Sequence, residues 1–143
     1  MRIAYGADDE NETTRAVVAY LSGRGHEVVS VTGSEKWPDI GEAVGAAVVA
    51  GEVDYGVVMC WTGTGTAIAA NKVPGVRAAL AWDPWIAKGA RLWNDANVLA
   101  LSLKRLAPDV AVEVVQAFFD TSEPDADEAE NIARLGDIEQ RRR

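Results

Sequence analysis

The sequence predicts an α/β fold: a Rossmann-like, doubly wound, five-stranded parallel sheet with a C-terminal helical arm. Two observations support this fold class. Short apolar runs rich in branched side chains recur five times along the 143 residues, and such runs are typical of strands buried on both faces of a parallel sheet. Between them, apolar residues recur every three or four positions, as on one face of an amphipathic helix. This alternation indicates βαβ units.

The apolar runs define the strands. They are "RIAY" from Arg2, "HEVVSV" from His26, "YGVVMC" from Tyr55, "VRAALA" from Val76 and "ANVLALS" from Ala96. His26, the only histidine, falls in a surface turn and is expected to be structural.

Helical patterns separate these strands. The first covers residues 13–22, and Asp39 is predicted to cap the second, where Ile40, Val44 and Val48 recur. A third helix follows the glycine loop through "AIAAN", and a fourth covers "PWIAKGARLW". Pro108 is predicted to lie in the first turn of a fifth helix.

The last residues differ in character from the rest of the chain. Residues 122–143 are strongly charged, with a narrow apolar stripe at Ile132, Leu135 and Ile138. That stripe is too small to form a core of its own. We therefore expect residues 1–143 to form a single domain in which 122–143 is an arm that docks on a partner subunit.

Composition limits the function. A net charge of −8 argues against nucleic acid as a partner, because phosphates would be repelled. No apolar stretch approaches the roughly 20 residues that span a membrane. The single cysteine cannot form an internal disulfide, and charge arrives too early for a secretory signal, so we expect a cytoplasmic protein.

The candidate functional residues follow the first, third and fifth strands. In doubly wound sheets, ligands bind beyond the carboxyl ends of the strands. The loops "GADDENE", "CWTGTGTA" and the segment near "SLKRL" should therefore meet at one edge of the sheet. Asp8 and Cys60 would then place a carboxylate and a thiol around one crevice.

The loop "CWTGTG" predicts an anion-binding site. Its amides can converge at a helix N-terminus, where the helix dipole also favours negative charge. A nucleotide-binding loop would carry a lysine after its last glycine, but Thr66 and Ala67 follow here. The alternative use is to stabilise an oxyanion that forms during a reaction. Removal of a proton next to a carbonyl creates an enediolate, which needs both a base and a group that stabilises its negative charge. Cys60 could supply the base and the loop amides the stabilisation.

Together these residues resemble the family of ribose-5-phosphate isomerase B and the galactose-6-phosphate isomerase subunits. The similarity runs through "IAYGADDE", "GHEVV", the long block from "AVVAGEVDYG" to "VRAALAWD", "NDANVLAL" and "IEQRR". It implies aldose–ketose isomerisation of a sugar through a cis-enediolate, with no metal and no other cofactor. It also implies a homodimer or homotetramer with the active site at the subunit interface.

The resemblance also implies roles for individual residues. Cys60 matches the base that moves a proton between C1 and C2, Thr62 matches a threonine that assists it, and Asp8 matches a carboxylate that contacts the sugar and helps to open its ring. Asn71 and Asn94 match polar residues around the site. The anion hole matches Gly63, Thr64, Gly65, Thr66 and Ala67.

This chain departs from the family's pattern at several substrate-binding positions. Asp9 stands where the family has a histidine, and Trp93 replaces a histidine that takes part in ring opening. Trp37 replaces a tyrosine, whereas Lys104 keeps a cation in place of an arginine.

The arm departs as well. Asp127 and Asn131 stand where the family has arginines that grip the substrate phosphate, and Glu128 lies beside the first. Without arginine there is no guanidinium to bond the phosphate through two N–H groups, and the added carboxylates repel it. Both changes weaken phosphate binding. These departures predict a divergent member with its phosphate grip largely lost.

Four of the tryptophans have two competing interpretations. Trp61 and Trp93 are predicted to face the sugar, because their neighbours in the motif do and indole faces stack on sugar rings. Trp82 and Trp85 are predicted to be core or subunit contacts.

Three functions remain open on the sequence. The first is an isomerase for a sugar or sugar derivative with little or no phosphate. The second is a conventional pentose-phosphate isomerase whose phosphate contacts come from Lys104, Lys88 or Arg91. The third is a non-catalytic sugar-binding module that kept the fold.

Overall fold

Strands and helices alternate over residues 1–142, the part of the chain that the computed structural model describes. The strands are β1 (Arg2–Ala7), β2 (Glu27–Ser30), β3 (Tyr55–Cys60), β4 (Ala78–Leu80) and β5 (Val98–Ser102). The helices are α1 (Glu12–Gly23), α2 (Trp37–Val49), α3 (Thr64–Asn71), α4 (Pro84–Asn94), α5 (Pro108–Phe119) and α6 (Ala129–Gln140), with a short 3₁₀ turn at Ala126–Glu128.

The five strands form one parallel sheet in the order β2-β1-β3-β5-β4. This arrangement confirms the predicted doubly wound fold. The winding reverses between β1 and β3, so a crevice opens there beyond their carboxyl ends. Asp8 and Cys60 follow or end those two strands.

Apolar side chains pack on both faces of the sheet. On one face, Val17 of α1, Ala87 of α4 and Phe118 of α5 belong to a single buried cluster. On the other face, Val44 of α2 and Ala70 of α3 form a second. Because both faces are covered, the central strands read as continuous apolar runs.

Close approach of α2 and α3 depends on Gly41. A Cβ atom at Gly41 would lie 2.6 Å from the Cβ of Ala69 and 2.8 Å from the backbone nitrogen of Ala70. Only glycine therefore lets α2 lie this close to α3. The same contact brings Trp37, one turn earlier on α2, against the beginning of α3.

The predicted boundaries need three corrections. Asp39 is not the cap of α2, which begins at Trp37 after Lys36; the Asp39 carboxylate instead accepts a hydrogen bond from the Ser34 hydroxyl at 2.8 Å. The third helix begins at Thr64, within the glycine loop rather than after it. The fourth strand is only three residues long, because the chain around Arg77 turns to bond Asp95 and Asn97.

The arm lies on the surface. In α6 no residue is buried, and Leu135 and Ile138 are 43% and 42% exposed. Hydrogen bonds join the arm to the rest of its own chain: the Asp125 amide donates to the Leu92 carbonyl at 2.7 Å, Glu139 accepts from the Gly75 amide at 2.9 Å, and the Ser122 carbonyl accepts from Arg91 at 3.0 Å. The docking of residues 122–143 on a partner stays a prediction.

Candidate active site

Three loops meet at the carboxyl edge of the sheet. The Asp8 amide donates to the Met59 carbonyl at 3.2 Å, which joins the loop after β1 to the end of β3. The Leu103 amide donates to the Cys60 carbonyl at 2.9 Å, which joins β3 to the loop after β5. Asn11 completes the frame, since its side-chain amide donates to the Leu103 carbonyl at 3.0 Å while its oxygen caps α1.

Cys60 is the last residue of β3, at the carboxyl edge where these loops meet. It is only 5% exposed, and its sulfur accepts a hydrogen bond from the Thr66 hydroxyl at 3.3 Å. Thr62 is exposed, and its hydroxyl lies 2.6 Å from that of Thr64. The thiol thus sits beside the turn that begins α3.

The glycine loop takes a conformation that only glycine tolerates. Gly63 has φ +78°, and a Cβ atom there would lie 2.5 Å from Leu80 and 2.9 Å from the Leu101 carbonyl carbon. Of the residues that the structure describes, none accepts a hydrogen bond from the amides of Gly65 and Thr66. These first-turn amides are available to an anion.

Of the residues predicted to form the anion hole, Ala67 has an amide that is already bonded within the chain. The Ala67 amide donates to the Gly63 carbonyl at 3.2 Å, which is the first bond of α3, so this amide is not free. The available donors therefore lie within residues 63–66.

Asp8 carries an unsatisfied carboxylate. Its Oδ1 atom is buried and has no hydrogen-bond partner among residues 1–142. Desolvation and then the neighbouring charge of Asp9 raise the pKa of Asp8 above its ordinary value. The side chain borders a cavity of about 340 Å³ between the loops that follow β1 and β2.

Trp61 stands at the mouth of the crevice and is 59% exposed. Its indole Nε1 donates to the Asp9 carboxylate at 3.4 Å, and the Lys104 ammonium lies 4.6 Å from the ring centroid. A cation over an indole face is attracted to the ring. Asp9, Trp61 and Lys104 therefore form one connected group.

Trp37 covers the glycine loop from the other side. Its ring lies so close to Gly65 that a Cβ atom there would be 3.0 Å from the ring carbons. The ring remains 46% exposed. An aromatic face thus borders the free amides.

Three predicted residues lie elsewhere in this chain. The Asn71 side chain forms two bonds with the backbone of Ala78, at 2.8 and 2.9 Å, and holds the beginning of β4. Trp93 and Asn94 end α4, which returns to the amino edge of the sheet, and Asn94 lines a separate cavity of about 550 Å³ against the arm. Their part in a site shared between subunits therefore stays a prediction, since within one chain they lie away from Cys60.

The other two tryptophans are not in the core. Trp82 is 61% exposed and Trp85 is 64% exposed. The Trp85 ring packs edge-on against Trp93, with 5.5 Å between centroids. Of their two predicted roles, core packing is wrong and a subunit contact stays a prediction.

Arg91 is excluded as a phosphate contact. It is 2% exposed, and its guanidinium donates to the Asp95 carboxylate at 2.8 Å and to the Ala96 carbonyl at 2.7 Å. It also donates to the carbonyls of Thr121 and Ser122 at the start of the arm. These bonds were not predicted from the sequence, although the i,i+4 spacing of Arg91 and Asp95 on a helix indicates an ion pair.

The arm provides no cation at the two positions in question. Asp127 is exposed, and the Asn131 side chain donates to Glu128 at 2.8 Å. Lys104 and Lys88 remain exposed cations.

Two features are absent from the described residues 1–142. No group of three or more His, Cys, Asp or Glu side chains is placed to hold a metal ion. No helix in this range has the length and apolar character needed to cross a membrane.

Comparison with known proteins gives consistent matches along the chain. Residues 3–136 match the Ribose/Galactose Isomerase family model. Ribose-5-phosphate isomerase B of Escherichia coli is 35% identical over 146 residues, covering 99% of this chain and 98% of that protein. D-erythrulose-4-phosphate isomerase of Pectobacterium atrosepticum is 32% identical over 142 residues, covering 95% and 93%.

The fold comparison agrees with the sequence comparison. The structure of ribose-5-phosphate isomerase B from Clostridium thermocellum superposes with a TM-score of 0.93 at 35% identity and covers 100% of both chains. The chain therefore belongs to the ribose/galactose isomerase family of sugar-phosphate aldose–ketose isomerases.

Proposed function

We propose that this protein interconverts an aldose and a ketose through a cis-enediolate, with Cys60 as the base. The observation that carries the proposal is the arrangement at the start of α3. The only cysteine is buried there beside a hydroxyl donor at 3.3 Å, and two backbone amides nearby have no acceptor within the described residues.

The proton balance of the reaction fits these groups. The Cys60 thiolate takes the proton from C2 of the open-chain aldose, and the electrons move onto the carbonyl oxygen at C1. The resulting enediolate carries its negative charge next to the amides of Gly65 and Thr66. Thr62 assists transfer between the two oxygens, and Cys60 then returns the proton to C1.

Asp8 is proposed to bind the sugar ring and help to open it. Its buried, unpartnered Oδ1 gains an acceptor role when a sugar hydroxyl arrives. The raised pKa also favours an Asp8 that can exchange a proton with the ring oxygen. Asp9, Trp61 and Trp37 are proposed to line the remainder of the substrate site.

A second subunit is proposed to complete the site. Trp93, Asn94 and the arm lie away from Cys60 in their own chain, so they reach a substrate only across an interface. Light scattering on the full chain is expected to report at least a dimer at micromolar concentration. A monomer would remove the shared site.

The substrate is proposed to carry little or no phosphate, although the relatives above are named for sugar phosphates. Asp127 and Asn131 provide no cation, and Glu128 adds a negative charge. Each lost charge-assisted contact weakens binding by about 1.5–3 kcal/mol. Two such losses predict that ribose 5-phosphate binds about 10²–10⁴-fold more weakly than to a family member with both arginines.

The second candidate is a conventional pentose-phosphate isomerase with relocated phosphate contacts. The position of Lys104 at the mouth of the crevice favours it, since the ammonium is exposed and close to Trp61. In the present arrangement the same ammonium lies on the indole, and Arg91 is committed to its own chain.

A substrate panel separates the two candidates. Turnover and affinity are measured separately for ribose 5-phosphate, ribose and other free aldoses, with Asp127→Arg/Asn131→Arg as the restored variant. We expect the wild type to prefer a free aldose and the variant to gain affinity for ribose 5-phosphate. Efficient wild-type turnover of ribose 5-phosphate with an ordinary KM would favour the conventional isomerase.

A further inference from the structure

Thr66 provides more than a backbone amide to the candidate site. Its side chain is fully buried, and its hydroxyl lies 3.3 Å from the Cys60 sulfur and 3.4 Å from the Gly63 carbonyl oxygen. Among residues 1–142, no other side chain donates a hydrogen bond to that sulfur. A hydroxyl has a single proton, so it can donate to only one of these acceptors at a time.

We propose that Thr66 is a positioning residue that stabilises the Cys60 thiolate and changes its hydrogen-bond partner when the sulfur is protonated. When Cys60 is a thiolate, the Thr66 hydroxyl donates to sulfur. When Cys60 has taken a proton, the hydroxyl rotates to donate to the Gly63 carbonyl, and its oxygen accepts from the S–H group. The Thr66 proton itself is never transferred.

The geometry favours this role over a purely structural one. Threonine hydroxyls near helix N-termini commonly bond a backbone carbonyl three or four residues earlier, and the Gly63 contact is of that kind. Such a bond does not require a sulfur atom as a second neighbour. Here the sulfur is the nearer of the two acceptors, and it belongs to the proposed base.

Titration of the thiolate tests the proposal without a substrate. Cys60 is the only cysteine, so its thiolate absorbance near 240 nm follows from subtracting the spectrum of Cys60→Ala. Thr66→Val removes the hydroxyl and keeps the shape of the side chain, whereas Thr66→Ser keeps the hydroxyl. Thr13→Val is the matched control, because Thr13 is also buried and donates to a carbonyl, that of Leu106, at 2.8 Å.

Several other charged groups contribute to the field at this edge. They are Asp8, Asp9 and Glu10 after β1, Glu35, Lys36 and Asp39 around the start of α2, and Lys104 and Arg105 after β5. All of them are unchanged in these variants, so a shift between Thr66→Val and Thr66→Ser reports the hydroxyl.

In Thr66→Val, we expect the pH midpoint of thiolate formation to rise by about 0.5–1 unit. Thr66→Ser should stay near the wild type, and Thr13→Val should lose stability without moving the midpoint. Below the midpoint, kcat/KM of Thr66→Val should fall about 3–10-fold and recover at higher pH. That kinetic result rests on the proposed function, whereas the spectroscopic one does not.

Two results would overturn the proposal. One is a midpoint in Thr66→Val equal to that of the wild type. The other is an equal shift in Thr13→Val, which would show that loss of any buried hydroxyl has the same effect. If Thr66→Val does not fold, the comparison of Thr66→Ala with Thr66→Ser decides in the same way.

Discussion

Polar side chains at the two edges of the sheet differ in whether their atoms have hydrogen-bond partners. At the amino edge, Asn97 accepts from the Arg77 amide at 2.8 Å and donates to the Gly75 carbonyl at 3.0 Å, and Asn71 is equally committed to Ala78. At the carboxyl edge, the Asp8 Oδ1 atom has no partner among the described residues.

The difference indicates that one edge contributes mainly to stability and the other to binding. Satisfied polar groups stabilise the native state, whereas a buried polar atom without a partner costs free energy until a ligand supplies one. The bonded side chains at the amino edge hold the chain together, whereas the unpartnered Asp8 atom lies at the carboxyl edge, where we propose that the substrate binds. Substitutions at the two edges should therefore affect different measurements.

The largest effect is expected from Cys60→Ala. Removing a general base lowers turnover by about 10²–10⁴-fold. The free energy of unfolding should change by only about 1 kcal/mol, because a single small side-chain atom is lost. Steady-state kinetics on the preferred aldose and chemical denaturation measure the two quantities. Near-normal turnover in the variant would contradict the role of the thiol.

The next effect concerns the amino edge. Arg91→Met removes the cation that bonds Asp95, Ala96 and the start of the arm, so the free energy of unfolding should fall by about 3 kcal/mol. Guanidinium denaturation measures the loss.

The control for that variant is Arg24→Met. Arg24 pairs with Asp120 at 3.2 Å, but both side chains are about half exposed, at 48% and 47%. An exposed pair contributes at most about 1 kcal/mol. Equal losses in the two variants would show that burial of Arg91 does not matter.

The smallest effect concerns the stability cost of Asp8. Because burial and Asp9 raise its pKa in the folded state, Asp8 adds stability when protonated at low pH, and this contribution is lost as the pH rises through the raised pKa. Asp8→Asn should therefore raise Tm at pH 7 and leave Tm unchanged below the ordinary pKa of 3.8.

The same variant should lose turnover, since the carboxylate is proposed to act on the sugar. Asp120→Asn serves as the control for Tm, because its exposed carboxylate is paired with Arg24 and its removal should give no gain. A lower Tm for Asp8→Asn at pH 7 would show that Asp8 stabilises the fold.

The sequence predicted the parts of the molecule that depend on local pattern. The period of apolar residues gave the five strands and their alternation with helices, and the rule for parallel sheets brought Asp8 and Cys60 to one edge. The boundary of α2 was predicted less well, since Asp39 is a good capping residue but Pro38 also suits a first turn.

The sequence could not place residues whose role depends on contacts in space. Asn71 and Asn94 belong to a motif, but the helices that carry them run back to the amino edge, so their predicted role needs a second subunit. No sequence signal links Thr66 to the Cys60 sulfur, because that contact depends on how the glycine loop turns at Gly63.

The most direct test of the central claim is exchange of hydrogen at C2. The protein is incubated with its preferred aldose in deuterated water, and deuterium at C2 is followed by NMR for the wild type and for Cys60→Ala. We predict incorporation by the wild type that exceeds the uncatalysed rate and falls by about 10²–10⁴-fold in the variant. Incorporation at equal rates in both proteins would contradict proton transfer by Cys60, and no incorporation by the wild type with any aldose would favour a non-catalytic sugar-binding protein.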